Sequence, residues 1–175
     1  MSNLENDSVK RVRKALVDAG LADKVTELSQ TARTAADAAK ALGVEQGAIV
    51  KTLVFTVGNR YVLALISGDN QCQEDQLAKV FNLEGDVIRP GADLVRAVTG
   101  FSIGGVAPVG LQADLPTAID ASLKKYDKVY TAAGHTHCVL ETTVDELKTL
   151  TDGVVSYAVA KAALKPEAKG EATSE

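Results

Sequence analysis

Three groups of residues in this chain have the types and spacing for chemistry. The first centres on Lys51, in the run Ile49-Val50-Lys51-Thr52-Leu53-Val54-Phe55-Thr56-Val57. Alternate residues of a strand share a face, so Ile49, Lys51, Leu53, Phe55 and Val57 point the same way. A lone ammonium among four apolar neighbours either snorkels out at the strand end or sits over a cavity where it has a partner. In a cavity it can polarise a carbonyl, hold a substrate hydroxyl or position a water. The second group is the loop Gly104-Gly105-Val106-Ala107-Pro108. Paired glycines permit positive φ and close approach to the backbone, and successive amides in such a loop can cradle an oxyanion or carboxylate. A tight connection between elements is the plainer reading of the same residues.

The third group, Gly134-His135-Thr136-His137-Cys138, holds both histidines of the protein. Read as a strand, it puts residues 135 and 137 on one face and Cys138 on the other. No second His or Cys cluster completes a tetrahedral zinc site. A histidine here suits general acid/base work or a hydrogen bond to a substrate hydroxyl, or it is an ordinary hydrogen-bonded loop residue. No GxSxG elbow is present, the phosphate-binding glycine patterns are missing, and Asp69, Asp75 and Asp120 read as turn or cap residues. A hydrolase built on this chain would work by positioning and electrostatics rather than through a covalent nucleophile.

The elements that must position these groups follow from periodicity. A helix is predicted from Ser8, with Val9, Val12, Leu16 and Ala19 at helical spacing and Gly20 as its close, and a second from Thr34 to Leu42, stopped by Gly43. Val25 to Leu28 alternates like a short strand. The Lys51 strand turns at Gly58-Asn59 and returns as Arg60 to Ile66, and both strands are apolar enough to be central and covered on both faces. Further helices are expected over Glu74 to Phe81, Asp93 to Thr99, and from Thr143 to before Gly153. Further strands are expected over Val87 to Arg89, Thr117 to Asp120, Val129 to Ala132, Val139 to Thr142 and Val154 to Val159, with a short helix between the Thr117 and Val129 strands. The expected whole is one mixed α/β (α+β) domain over residues 1–164, a partly closed mixed sheet flanked by helices, with a disordered tail over 165–175 whose Pro, Ala, Lys, Glu and Ser cannot build a core.

Composition narrows the functions. The chain has 175 residues, 46% hydrophobic and 24% charged, enough for one core. It has no Trp and only 4% aromatic residues, which disfavours a base-stacking platform. A net charge of −4 argues against a large nucleic-acid footprint and against DNA binding, while a local contact with an RNA end stays open because the local field matters more than the sum. Cys72 and Cys138 lack disulfide or CxxC spacing, no apolar run is long enough to span a bilayer, and no signal peptide is evident. The expectation is a cytoplasmic protein with reduced thiols and no membrane partner.

Order and surroundings make these signals specific. Ala-x-x-Leu-Gly-Val before the Lys51 strand, then Val62-Leu63-Ala64-Leu65-Ile66-x-Gly68-Asp69, closely resembles the YbaK/ProX family of aminoacyl-tRNA editing domains, which also occur inserted in bacterial prolyl-tRNA synthetases. The match continues through Leu94-x-x-x-x-Thr99-Gly100-Phe101-x-x-Gly104-Gly105-Val106-Ala107-Pro108-Val109-Gly110, Leu115-Pro116-x-x-Ile119-Asp120, Val129-Tyr130-x-x-Ala133-Gly134 and Asp145-Glu146-Leu147, roughly residues 30 to 158.

The resemblance implies hydrolysis of the ester joining a wrong amino acid to tRNA, often tRNA(Pro), without metal or organic cofactor. It puts the family's lysine on Lys51, as the catalytic residue. It puts the substrate-binding residues at Thr52, at the loop residues Gly104, Gly105, Val106, Ala107 and Pro108, and at Gly134 and His137. In this family the terminal ribose hydroxyl of the tRNA is thought to assist the attacking water. The implied partners are the acceptor end of an aminoacyl-tRNA and a prolyl-tRNA synthetase that delivers it. One departure bears on substrate. Members similar to Cys-tRNA(Pro) deacylases carry Lys/Arg-Arg-Gly after the late Ala-Gly, where this chain has His135-Thr136-His137. Ala, Ser or Thr is therefore as good an expected acyl group as Cys. The alternative to an enzyme is a module of the same fold that binds an aminoacyl-tRNA or a synthetase without turnover.

Overall fold

The computed structural model describes residues 2–163; the tail expected over 165–175 and the last residue of the expected domain lie outside them. Within them the chain runs α1 (Asp7–Asp18), β1 (Val25–Glu27), α2 (Ala35–Leu42), β2 (Ile49–Val57), β3 (Arg60–Ser67), β4 (Asn70–Cys72), α3 (Leu77–Phe81), β5 (Val87–Ile88), α4 (Ala92–Thr99), β6 (Thr117–Asp120), β7 (Val129–Ala132), β8 (Cys138–Thr142), α5 (Val144–Thr151), β9 (Val154–Ser156) and β10 (Ala160–Ala162). Local chemistry sets many of the boundaries. Asn6 caps α1 by accepting from Ser8 N at 2.9 Å, and Thr34 and Thr143 cap α2 and α5 through Asp37 N and Glu146 N. Gly43 ends α2 at φ +71°, in the left-handed region that glycine enters without strain. α5 ends before Gly153, as expected, with Asp152 in the left-handed position at φ +53°.

The main sheet is mixed, with strand order β1-β8-β7-β2-β3-β6-β9 and β5 also pairing with β2. β2 and β3 form an antiparallel hairpin from Val50↔Ser67 to Val57↔Arg60; β7 and β6 flank it in parallel, and β9 runs parallel to β6. The two ends of the path, β1 and β9, do not pair with each other, so the sheet is an open path rather than a ring. A second, two-stranded sheet pairs β4 with β10; neither strand is expected from the sequence, and the final strand expected over Val154 to Val159 ends at Ser156 as β9.

Both faces of the central hairpin are covered, as its near-continuous apolar run requires. On one face Val54 and Leu63 pack with Val9, Val12 and Leu16 of α1 and with Phe101 and Ala107 of the long loop after α4. On the other, Phe55, Val57, Val62, Ala64 and Ile66 pack with Leu77 of α3, Cys72 and Val159. A third cluster, with Val50, Leu65, Ile119 and Leu147, docks α5. Phe55 is fully buried, and removing such a ring costs about 3–5 kcal/mol. The hairpin therefore gives Lys51 a stiff platform.

Candidate active site

The site arises from a fork in the sheet. One edge of β2 pairs with β7 only at Ile49↔Tyr130 and Val50↔Thr131, and with β5 only at Thr56↔Ile88 and Val57↔Val87. Among the described residues no strand pairs with β2 between those points on that edge. The gap has local causes. The antiparallel β5 ladder would next require an amide from Pro90, which has none, and β7 ends at the turn that begins with Gly134. The fork opens a cavity of about 380 Å³, lined by β2 from Ile49 to Val54, by Arg89 and Pro90, by the start of α2, and by parts of the α4–β6 loop and the β7–β8 turn. This volume is within the range of small-molecule sites.

Lys51 lies on the cavity wall and is half-buried. On its own face of β2 it has Ile66 as cross-strand neighbour. Its ammonium donates to the Asn70 carbonyl at 2.5 Å. Burial lowers the Lys51 pKa below the usual lysine value, partly offset by Cys72, Asp69 and Asp120 and reinforced by Arg89. The Asn70 side chain is in turn held by Asp120, whose carboxylate accepts from Asn70 Nδ2 at 2.9 Å, Ser67 N at 3.0 Å and Ser122 N at 2.9 Å. Asp120 is fully buried, so the residue that the sequence marks only as a cap also anchors the support of Lys51. Thr52 turns to the opposite face, and its hydroxyl is buried in the cavity wall without a hydrogen-bond partner.

The opposite wall is built from loops. Gly104, at φ +94°, and Val106 line the cavity; Gly105, Ala107 and Pro108 do not. The Gly105 N–H is spent on Ser102 O at 2.9 Å, and its carbonyl accepts from Gly134 N at 2.9 Å. A Cβ on Gly105 would come within 3.1 Å of His135 N, so this glycine lets the loop lie flat on the β7–β8 turn. Ala107 is buried in the core, and Pro108 faces a separate surface depression beside α1 and α5. Gly134, at φ +98°, serves packing too: a Cβ there would meet Ser8 O of α1 at 2.8 Å.

His135, rather than the expected His137, lines the cavity. Strand alternation would put both histidines on one face and so does not separate them, but residues 134–137 form a turn, β8 starts only at Cys138, and the two rings part company. Within that turn His135 Nδ1 accepts from His137 N at 3.0 Å, and the His137 ring is left with a buried, unpartnered Nδ1 outside the cavity. Among the described residues no group of three or more His, Cys, Asp or Glu side chains is placed to hold a metal ion.

The sequence reading missed Arg33 and Arg89, which line the cavity with Lys51. Neither carries a local signal, being single cations in polar segments; only the pairing of distant strands brings them together. Among the described residues no Asp or Glu lines the cavity, whereas the chain as a whole carries −4. The cavity is a cationic spot on an acidic protein, with an apolar wall of Ile49, Val54, Val95 and Val139.

The site is thus a small cavity lined by three cations in the fork of a mixed sheet. The chain belongs to the aminoacyl-tRNA editing domain family, whose sequence model matches residues 29–150. It is 31% identical over 141 residues to YwhH of Bacillus subtilis, an uncharacterised protein, covering 80% of this chain and 88% of YwhH. It is 33% identical over 122 residues to EbsC of Enterococcus faecalis, described as a candidate Cys-tRNA(Pro)/Cys-tRNA(Cys) deacylase, covering 69% of this chain and 73% of EbsC. Proline–tRNA ligase of Maridesulfovibrio salexigens matches at 36% over 99 residues, 55% of this chain but 17% of the ligase. A solved structure described as a candidate trans-editing enzyme for prolyl tRNA synthetase superposes with a TM-score of 0.82 at 36% identity, covering 90% of this chain and 99% of that one. The mixed α/β fold with its large flanked sheet is thus the editing-domain fold. No helix among the described residues is long and apolar enough to cross a membrane.

Proposed function

We propose that this chain is a free-standing hydrolase that cleaves the ester of mischarged aminoacyl-tRNA. The preferred substrate is tRNA(Pro) carrying a small residue such as Ala, Cys, Ser or Thr, and the catalytic residue is Lys51. The observation that carries this reading is the cavity itself: among the described residues Lys51, Arg33 and Arg89 line it and no carboxylate does, on a protein of net charge −4. Such a site attracts the phosphates of an RNA end locally while the rest of the surface repels the body of the RNA. The acidic remainder suits delivery of the tRNA by a prolyl-tRNA synthetase, and the bare apolar wall suits a short acyl side chain.

The chemistry asks little of the protein. An aminoacyl ester is already activated, so fixing its carbonyl beside an ammonium and admitting one water supplies most of what hydrolysis needs. Lys51, anchored on Asn70 O, stabilises charge developing on the ester oxygen. Thr52 and His135 are the neighbouring polar groups able to orient the water or the ribose hydroxyl beside the ester. Gly104 and Val106 bound the acyl group from the other side.

The test is a deacylation panel of Ala-, Ser-, Thr- and Cys-charged tRNA(Pro) together with the cognate pairs, run with the parent and with Lys51→Ala. At least one mischarged tRNA should be cleared by the parent and spared by the variant. Equal rates for the two proteins would remove Lys51 from the mechanism. No clearance of any tRNA, with binding retained, would leave a non-catalytic binding module.

A further inference from the structure

The fork leaves more than side chains facing the cavity. Leu63 N–H donates to Pro116 O at 2.8 Å, on the β6 side, so Leu63 turns its peptide groups away from β2. In an antiparallel ladder directly opposed residues turn their peptide groups the same way, toward each other or both outward. Val54, the register partner of Leu63, therefore directs its N–H and C=O away from β3 and into the fork. Thr52 is two residues away and shares that direction. The parity agrees with the neighbours: Thr56 pairs with Ile88 on this edge, and Gly58 N donates to Asp86 O at 3.0 Å there. The peptide groups of Thr52 and Val54 thus open onto the cavity with no strand across from them, and the Thr52 hydroxyl beside them is buried and unpartnered.

Buried main-chain groups call for polar partners. The carbonyls at Thr52 and Val54 accept only from a donor, and Lys51, the cation on the same strand, turns its ammonium to Asn70 O. Among the described residues no carboxylate lines the cavity to take an amino group. A ligand amine entering the fork thus finds main-chain acceptors and the Thr52 oxygen as its partners. Every aminoacyl ester brings such an amine on the carbon next to the ester carbonyl, whatever its side chain.

We propose, resting on the deacylase reading, that the open edge of β2 at Thr52 and Val54 binds the α-amino group of the acyl moiety, so that the site requires a free α-amine. The main chain then reads what all amino acids share, and the apolar wall reads how they differ. Esters whose amine is masked or missing fall outside the substrate class.

The test uses alanyl, N-acetylalanyl and propionyl esters on the same tRNA, each enzymatic rate divided by that ester's own hydrolysis in buffer. Both altered esters should lose at least about tenfold in acceleration relative to the alanyl ester, the loss of a hydrogen bond to an ionisable donor. The propionyl ester adds no bulk, so slowing of the N-acetyl ester alone would be steric and would overturn the proposal, as would equal acceleration of all three. A second measurement does not depend on turnover: binding of 3′-alanylamino-adenosine and its 3′-propionylamino counterpart, followed through the amide resonances of Thr52 and Val54. Tighter binding of the alanyl compound by at least about tenfold, with shifts at both amides, supports the proposal even in a protein that hydrolyses nothing. Equal affinities overturn it even where the alanyl ester is hydrolysed.

Discussion

The two walls of the cavity are held by different means. The Lys51 wall is a strand laced into the centre of the sheet, and the one charged group on its stretch is fixed through Asn70 to the buried Asp120. The facing wall, residues 100–110 and 134–135, has no ladder of its own. It is held from behind by α1: Arg11 Nε donates to Gly110 O at 3.2 Å, its NH2 group donates to Gly100 O at 2.8 Å, and its guanidinium lies 4.8 Å over the Phe101 ring. One wall is stiff and carries the ammonium; the other is a loop stapled at its two ends. The difference assigns chemistry to the first and fit to the acyl side chain to the second.

The largest effect should come from the stiff wall. Lys51→Ala should lower deacylation by about 10²–10³-fold, the range for removing one stabilising donor at a developing oxyanion, with far-UV circular dichroism unchanged. The same lysine is a burden on the fold. Its pKa is lowered by burial, so between the folded and unfolded pKa values the unfolded chain binds more protons and stability rises with pH. Below the folded value both states are protonated and the desolvation penalty stands in full. Lys51→Met should therefore unfold in urea at pH 7 no earlier than the parent, and the parent should gain on the variant as the pH approaches 10. A variant clearly less stable at pH 7 would mean that the bond to Asn70 outweighs the desolvation.

The next tests fall on the supports of each wall. Gly134→Ala must enter φ +98° and meet Ser8 O at 2.8 Å, so it should cost about 1–3 kcal/mol in chemical denaturation. Gly105→Ala, with its contacts at 3.1–3.2 Å and ordinary φ, should cost less and act mainly on activity. Asp120→Asn replaces an acceptor of three hydrogen bonds with a group that must present a donor to one of them, for about 1.5–3 kcal/mol. It also removes a negative charge that raises the Lys51 pKa, so the alkaline limb of the activity profile should move to lower pH. If that limb stays put while stability falls, Asp120 is only a structural cap. Arg11→Ala should act on the soft wall alone: a rise in KM and weaker discrimination among acyl groups, with kcat within a few-fold of the parent. A kcat loss as large as that of Lys51→Ala would erase the distinction between the walls.

The same contrast explains what could be read from the sequence. The β2–β3 hairpin was legible because its apolar runs and the Gly58-Asn59 turn are local signals, and Lys51 stood out as the one cation in them. The family resemblance located the glycine loop, but not which of its residues face the cavity, since Gly105 and Gly134 are glycines for packing reasons that depend on the turn beside them and on α1. Neither the resemblance nor alternation, which puts both histidines on one face, separates His135 from His137; the turn over residues 134–137 does. Arg33, Arg89 and the β4–β10 pair depend on contacts between segments far apart in the chain, and three-residue strands are too short to show a period. Pro90 was visible as a strand end; its consequence, an unpaired stretch of β2, requires knowing that β5 and β7 share one edge.

The smallest expected effect is also the finest probe of the two walls, because one free cysteine lies beside each, Cys72 on β4 behind the Lys51 strand and Cys138 just after the 134–137 turn. Cys72 lies near Lys51, and burial pushes its thiol up to about 12; Cys138 opens β8 on the cavity wall, and burial pushes it up to about 11. Raised thiol pKa values stabilise the fold fully below the ordinary value near 9, and that contribution is lost as the pH climbs through the folded values. At pH 8 both side chains should therefore alkylate slowly with iodoacetamide in the native protein and rapidly in urea, as mass spectrometry of the labelled peptides can follow. The informative quantity is their ratio. A loop wall that opens on its own exposes Cys138 without exposing Cys72, so Cys138 should label faster in the native state, and Arg11→Ala should widen the gap. Equal rates that change together would mean that the cavity opens only by unfolding as a whole, and the division into a stiff and a soft wall would then have no dynamic basis.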